Sequence, residues 1–596
     1  MPTQLKSILR KFLIWKYKYI SERQFIYILS ILVGLLAGLG TVALKNITHL
    51  IKELLEGKFI KEIHNTLYFI FPIIGLFIVH LLVKYVVKRK INHGIPSTLF
   101  SISKQNGIIE RYKMYASLIT APITVGFGGS VGLQGPAVST GAALGSNLAQ
   151  FFHMNTKTRM LLIGCASAGA MASMFKAPIA AIIFAIEIFS LDIAFTSLVP
   201  LLLASVSAVV TSYFFQGTDV LFSFDLQDEF QINDLFFYVV LGIGTGLASV
   251  YFSKIYFSIL KFFNKFTSPI KKLIIGGLAI GVMLYFIPPL FGEGYGLINN
   301  LLHGDHKAAI GNVPFLENLP ENIWVIIGLL IGITIFKAIA MTVTFAAGGV
   351  GGVFIPTLVM GSVLGNVFAK IINNIGLGFH VSESNFTLIG MTGLMAGVLH
   401  APLTAIFLIA EITGGYELFV PLMLVSAISF AITRYFVSNS IYTLELAKRG
   451  ELITHNKDKN VLMMLNLDKI IETNFISLKP GMTLGEIVNN AVAKSDRNHF
   501  PVVNDNNEFL GILTLNDIRS IMFDKNLYET VKVSSLMHSA SDIIYYEKDS
   551  AEEILNKFKS CGAWNLVVIK NGKYFGFISK SRLLTAYRRK LIDVTA

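Results

Sequence analysis

For its first three quarters the chain carries its apolar positions in long unbroken runs, not in alternation with polar ones. Ile26–Leu44, Tyr68–Val87, Ile323–Val343 and Leu418–Val437 are each long enough to cross a bilayer. Runs of this kind predict α-helices, because lipid offers nothing to satisfy an open backbone. Gly and other small residues are dense among them, which predicts close helix–helix contact. The pattern changes near residue 445. Beyond "ELAKRGELITHNKDKN" no spanning run recurs, and short strands with polar turns take over: "FPVVN", "FLGILT", "NLVVIK" and "YFGFIS". This tail is doubled. "HFPVVNDNNEFLGILTLNDIRSI" (499–521) is echoed by "WNLVVIKNGKYFGFISKSRLLTA" (564–586), each reading strand, turn, strand, helix. The expected division is a basic segment at 1–24, a membrane region at 25–450, and soluble α/β units at 453–525 and 526–596.

The membrane region also repeats. "KAPIAAIIFAIEIF" (176–189) matches "HAPLTAIFLIAEIT" (400–413), and "GGSVGLQGPAVSTGAALGSN" (128–147) has a partner in "GGVGGVFIPTLVMGSVLGN" (348–366). Aligning Pro136 with Pro356 pairs Gly129 with Gly349, Gly132 with Gly352, Gly141 with Gly361 and Gly145 with Gly365. Two related halves follow, at roughly 70–215 and 270–437. Repeats of this kind place a transported species between them near the midplane. The spacing is equally compatible with parallel and inverted halves.

Composition agrees with a membrane protein: 53% of the 596 residues are hydrophobic and only 15% charged, where soluble domains carry about a quarter. The net charge of +13 raises the question of nucleic acid, but its placement answers it. Lys6, Arg10, Lys11, Lys16, Lys18 and Arg23 precede the first span, and Lys84, Lys88, Arg89 and Lys90 close the second. Both clusters fit cytoplasmic anchoring, with both termini on that side. No cleaved leader is expected at the N-terminus. The two cysteines, Cys165 and Cys561, imply neither a disulfide framework nor a cysteine metal site. No HExxH or Walker A pattern occurs. His303 and His306 in "LLHGDH" read as a polar loop, and "GIGTG" (242–246) as helix packing.

The candidate chemistry lies in three glycine–proline stretches: "NHGIP" (92–96), "GLQGP" (132–136) and "GVFIP" (352–356). Proline suits the first turn of a helix, and glycine lets backbone approach a ligand. The orphan amides of a helix start attract anions. Three such starts converging on one point would bind a small anion without a full positive charge, weakly enough for it to leave.

These stretches resemble the CLC family of chloride channels and chloride/proton exchangers. "GLQGP" stands where that family has G-R/K-E-G-P, "GVFIP" matches G-x-F-x-P, "NHGIP" stands for G-S-G-I-P, and "SIYTLEL" (440–446) places Tyr442 at its anion-coordinating tyrosine. The doubled tail resembles a pair of CBS domains. The resemblance implies a polytopic α-helical fold with two inverted repeats, a C-terminal soluble CBS pair, a homodimer, one anion pathway per subunit, and a bacterial inner membrane. It implies an anion site around His93, Gly94, Ile95, Gly132, Gln134, Gly135, Val353, Phe354 and Tyr442, with the amides of Val353 and Phe354 and the Tyr442 hydroxyl coordinating chloride.

Three departures from the family pattern bear on mechanism. The central serine is His93, preceded by Asn92. The external gating glutamate is Gln134, which keeps the shape but cannot titrate. The internal proton-passing glutamate falls on Ile188, next to Glu187; the repeat partner Glu411 points to a structural role for Glu187. In the tail, Thr514 and Asp517 stand where nucleotide-binding CBS domains hold a ribose, whereas the second unit has Arg582 at the acidic place. The expected function is chloride conduction without proton coupling, modulated by the tail, with adenine nucleotide as a candidate tail ligand. It is a conduit, not an enzyme. The rivals are an exchanger with a different proton route, a CBS-regulated magnesium channel, which the scarcity of membrane acids disfavours, and a membrane receptor that transports nothing.

Overall fold

The computed structural model describes residues 11, 14, 16, 18–55, 66–89, 91, 94–190, 195–218, 222, 232–310, 322–376, 378–444, 447, 461–462 and 465–595. The chain forms two compact units, residues 1–452 and 453–596.

Among the described residues, the first unit is built of helices. In chain order it contains α1 Glu22–Leu55, α2 Thr66–Leu81, α3 Gly94–Lys104, α4 Lys113–Gly126, α5 Gln134–Phe151, α6 Thr156–Phe175, α7 Pro178–Phe189 and α8 Phe195–Gln216. The second series is α9 Leu235–Phe263, α10 Pro269–Phe286, α11 Tyr295–Leu302, α12 His306–Ile310, α13 Ile323–Ala346, α14 Phe354–Asn374, α15 Glu383–Leu399, α16 Pro402–Ile412 and α17 Phe419–Phe436. Among the described residues, nine helices are long and apolar enough to span a membrane. The apolar runs fall in α1, α2 with its π-helical extension Leu82–Val87, α13 and α17. At 34 residues, α1 is about 51 Å long, so it tilts in or projects from a hydrocarbon layer of about 30 Å. Its Gly34 and Gly38 face Ala204 and Thr211 of α8, a small-residue seam that brings the backbones together.

Apart from α12, the described helices of the two series correspond in order, and their contacts show how they are related. Glu187, near the end of α7, accepts the N–H groups of Leu403 and Thr404 at the start of α16, at 3.1 and 2.8 Å, and the Thr404 hydroxyl at 2.6 Å. Glu411, near the end of α16, accepts the N–H groups of Ile179 and Ala180 at the start of α7, at 3.0 and 2.8 Å. Equivalent helices therefore run antiparallel, as only inverted repeats allow. Each half supplies the carboxylate that satisfies the orphan amides of the other. Both helices start with proline, and each follows a residue in the left-handed region: Lys176 (φ 57°) and His400 (φ 55°).

The second unit carries small sheets. β1 His499–Val503 pairs antiparallel with β2 Phe509–Thr514. β3 Ile543–Tyr545 runs parallel to β4 Asn565–Lys570, which pairs antiparallel with β5 Lys573–Ser579. The strand β3 adds to the four expected from sequence. The two cores interleave across residues 525/526. Val533, with Leu536 and Met537, packs with Leu478, Phe500 and Leu513, whereas Ile470 and Ile471 pack with Ile544, Phe558 and Leu566. Glu472 and Phe577 exchange backbone hydrogen bonds at 2.8 and 2.9 Å, which fixes this exchange of segments.

Candidate anion site

The helices α5 and α14 both begin in the interior, and their approaches meet. Gly132 donates its N–H to the Gly352 carbonyl at 3.0 Å, and Gly352 donates back to Gly132 at 2.6 Å. The pair aligned from sequence is thus a reciprocal bridge between the halves. Gly132, expected among the anion-facing amides, spends its N–H on this bridge and offers no donor to the site. Its neighbours come closer still to other backbone. A Cβ on Gly94 would lie 2.8 Å from the Gly135 carbonyl oxygen, and one on Gly135 would lie 2.9 Å from the Gly352 Cα. Only glycine permits three segments to converge so tightly.

Around this convergence lies a cavity lined by Gly94, Ile95, Pro96, Gly135, Tyr256, Phe345, Gly351, Gly352, Val353, Ile441 and Tyr442. Of the residues expected from sequence, Gly94, Ile95, Gly135, Val353 and Tyr442 meet here. His93 lies outside the described residues. Phe354 is the first residue of α14, and its ring is fully buried, 5.3 Å from Phe175 and 6.5 Å from Phe184. That ring clamps the helix start so that the leading N–H groups of α14, which no preceding turn can accept, stay fixed in direction. Gln134 is completely buried, with Oε1 beside Gly352 and its side chain close to Tyr442. Neither polar atom of the Gln134 amide makes a well-formed hydrogen bond within the chain, and neither does the Tyr442 hydroxyl. Buried polar groups of this kind are normally satisfied, so a phenol open at the cavity, with a buried amide beside it, marks a polar ligand's place. Every group is neutral, and the donors are N–H and O–H. The arrangement can hold a small anion by hydrogen bonds and a helix dipole without trapping it.

Sequence reasoning missed Tyr256, Phe345, Gly351 and Ile441 as lining residues, and held Pro96 and Gly352 only as members of the candidate stretches. Gly352 had a signal, its alignment with Gly132. Tyr256 and Phe345, edge to face at 6.4 Å, come from helices whose apolar sequence marks no pore-facing position. Ile188 is buried in α7, and its neighbour Glu187 is engaged with α16. The histidine loop supplies a contact rather than a cluster: His306 meets the ammonium of Lys370 at 2.8 Å, and Lys370 pairs with Glu383.

In the tail, Thr514 and Asp517 bond each other. Asp517 accepts the Thr514 N–H and hydroxyl, both at 2.7 Å, and lies 3.2 Å from His538 Nε2. Burial disfavours its charge, but the Thr514 bonds and His538 outweigh this and hold the carboxyl below its ordinary value.

Comparison with known proteins agrees with this architecture. Residues 74–434 match the family described as voltage gated chloride channel, and residues 467–524 match the CBS domain. The H(+)/Cl(-) exchange transporter ClcA of Vibrio cholerae is 26% identical over 419 residues, covering 68% of this chain and 85% of that protein. A slow cyanobacterial Cl-/H+ antiporter superposes with a TM-score of 0.61 at 19% identity, covering 72% of this chain and 98% of the other. A eukaryotic CLC transporter superposes with a TM-score of 0.59 at 17% identity, covering 94% and 97%.

Proposed function

The chain belongs to the voltage gated chloride channel family, and we propose that within it this protein conducts chloride with no stoichiometric movement of protons. The observation that carries the reading is Gln134. It is a buried amide at the start of α5, open beside Tyr442, where the family resemblance implies a titratable carboxylate. Coupled exchange needs a group that alternates between charged and neutral while competing with the anion. An amide has no such pair of states in the physiological range. Ile188 removes the second expected carrier, and the engagement of Glu187 with the start of α16 supports a structural role for it.

Chloride would be held by the N–H groups of Val353 and Phe354 and the Tyr442 hydroxyl, with the His93–Gly94–Ile95 segment closing the inner side. The protein would work as a homodimer with one path per subunit, in a bacterial inner membrane, with both termini cytoplasmic. The tail would modulate rather than conduct. An adenine nucleotide bound there would have to exchange the Thr514–Asp517 bonds for its ribose. The second reading is an exchanger with a different proton route, favoured by the activity of the Vibrio cholerae relative.

The deciding experiment imposes a chloride gradient on proteoliposomes and follows internal pH, with an uncoupler as control. Chloride flux with no uphill proton movement is expected. Proton movement that stops when chloride is withdrawn would establish the exchanger instead.

A further inference from the structure

A buried carboxylate lies behind the start of α5. Glu293 stands in the connection from α10 to α11, between Gly292 (φ 59°) and Gly294 (φ 96°), and is 8% exposed. It accepts the backbone N–H of Leu133 at 2.9 Å. Leu133 caps α5 and precedes Gln134, and consecutive Cα atoms lie about 3.8 Å apart. The loop that presents Glu293 is itself pinned. The buried ammonium of Lys337 donates to the Leu290 and Gly292 carbonyls at 3.3 and 3.0 Å, and the Ser130 hydroxyl donates to Leu290 at 2.7 Å.

The groups facing Glu293 are Lys45 and Lys52 from α1, Lys337 from α13 and the phenol of Tyr295 from α11. The ammonium of Lys45 donates to the Met174 carbonyl at 2.6 Å, and that of Lys52 lies against Gly292. Burial favours the neutral acid and outweighs the Leu133 hydrogen bond and the charges of Lys52, Lys45 and Lys337, so the carboxyl is held above its ordinary value.

A helix start attracts one anion. In α5 a resident carboxylate takes the first amide, Leu133, while Gly135, in the same first turn, lines the cavity and the Gln134 side chain lies beside Gly352 and Tyr442. A charged Glu293 therefore repels an anion arriving at the same helix start from the other side, and a protonated one does not. We propose that Glu293 is the proton-responsive positioning residue of this anion path: it acts from behind α5, and anion flow rises when it takes up a proton. Gln134, at the front of the same helix, has no proton to exchange. The proposal rests on the reading of the cavity as an anion path. It concerns the rate of flow and needs no coupled proton transport.

The test measures chloride efflux from proteoliposomes holding the full chain, with the same pH on both sides, from about pH 8 to about pH 3.5, a range that brackets an ordinary glutamate at about 4.3 and the region above it. The unaltered protein is expected to gain about tenfold in flux with acid, the scale on which one nearby unit charge acts on a partly buried ion. Glu293→Gln should be fast at both ends, with no pH dependence. Lys52→Met, at a half-buried site, removes one ammonium that favours the carboxylate, so its profile should keep its shape and move to higher pH. Lys52→Met decides the matter should Glu293→Gln fail to fold. A Glu293→Gln protein that keeps the original pH profile, an unmoved profile in Lys52→Met, or flux in the unaltered protein that ignores pH would each overturn the proposal. Absence of chloride flux from every protein would overturn the conduction reading instead.

Discussion

The two halves of the membrane unit share a scaffold and differ at one helix start. In the first half, Gly141 and Gly145 of α5 lie against the Ala166 and Leu162 carbonyls of α6; in the second, Gly361 and Gly365 of α14 lie against the Gly390 and Phe386 carbonyls of α15. The turns before α5 and α14 use Gly128 (φ 92°) and Gly348 (φ 100°). Where the symmetry ends, at Gln134 and its equivalent Phe354, the chemistry begins. Phe354 locks its helix start with a packed aromatic ring. Gln134 leaves its own with an open polar side chain, and Glu293 takes the amide just before it. Identical packing positions hold two helix starts at one point, and different leading residues make one a fixed donor and the other an adjustable contact.

Damage to the shared scaffold should be large and equal in the two halves. Gly145→Leu and Gly365→Leu drive a side chain into the Leu162 and Phe386 carbonyls, and neither should yield monodisperse protein in detergent. A folded product from one of the two would show that the halves do not share this packing demand. Next come the reciprocal caps. Glu187→Ala and Glu411→Ala should each lower stability by about 1.5–3 kcal/mol, the range for hydrogen bonds to a charged group. Thermal unfolding reads this, and chloride flux per folded protein should survive in both. Flux lost in Glu187→Ala alone would return that carboxylate to the transport path.

Changes at the differing positions should be smaller in energy and confined to function. Gln134→Glu places a charge in front of α5, so flux at neutral pH should fall about tenfold and recover as the new carboxyl protonates. It should not create coupled exchange, because Ile188 leaves the inner route without an acid; internal pH during chloride flow measures this. Tyr442→Phe removes one donor and should weaken chloride binding by about 0.5–1.5 kcal/mol in calorimetry. An unchanged affinity would take Tyr442 out of the site.

How far the sequence was readable follows the same division. Helical spans, doubled halves and four of the five described tail strands were legible, because apolar runs and turn residues declare themselves locally; β3, three residues long, was not. Aligning two glycine–proline stretches brought Gly132 against Gly352, and those residues do meet. The alignment could not say that their amides bond each other, so Gly132 read as a ligand when it is a bridge. Inversion was illegible in spacing but plain in the crossed bonds of Glu187 and Glu411. Glu293 is a glycine-flanked acid in apolar surroundings, which was a signal. Its partner Leu133 lies 160 residues away and contributes only a backbone N–H, which no side-chain pattern records.

The crossed carboxylates also bear on how the protein is made. Ala180, at the start of α7, finds its acceptor on Glu411, 231 residues later in the chain. At about 5–20 residues per second, synthesis leaves α7 without that acceptor for roughly 10–50 s. Through that interval the nascent first half is a guest in the bilayer with exposed donors, dependent on the insertion machinery or on lipid headgroups for cover. Its last turn meanwhile holds Glu187, a carboxylate with no helix start to receive it. The second half completes a structure the first cannot finish alone. A chain severed between residues 216 and 232 should therefore assemble only when both fragments are synthesised in the same membrane, with each serving as the other's folding partner.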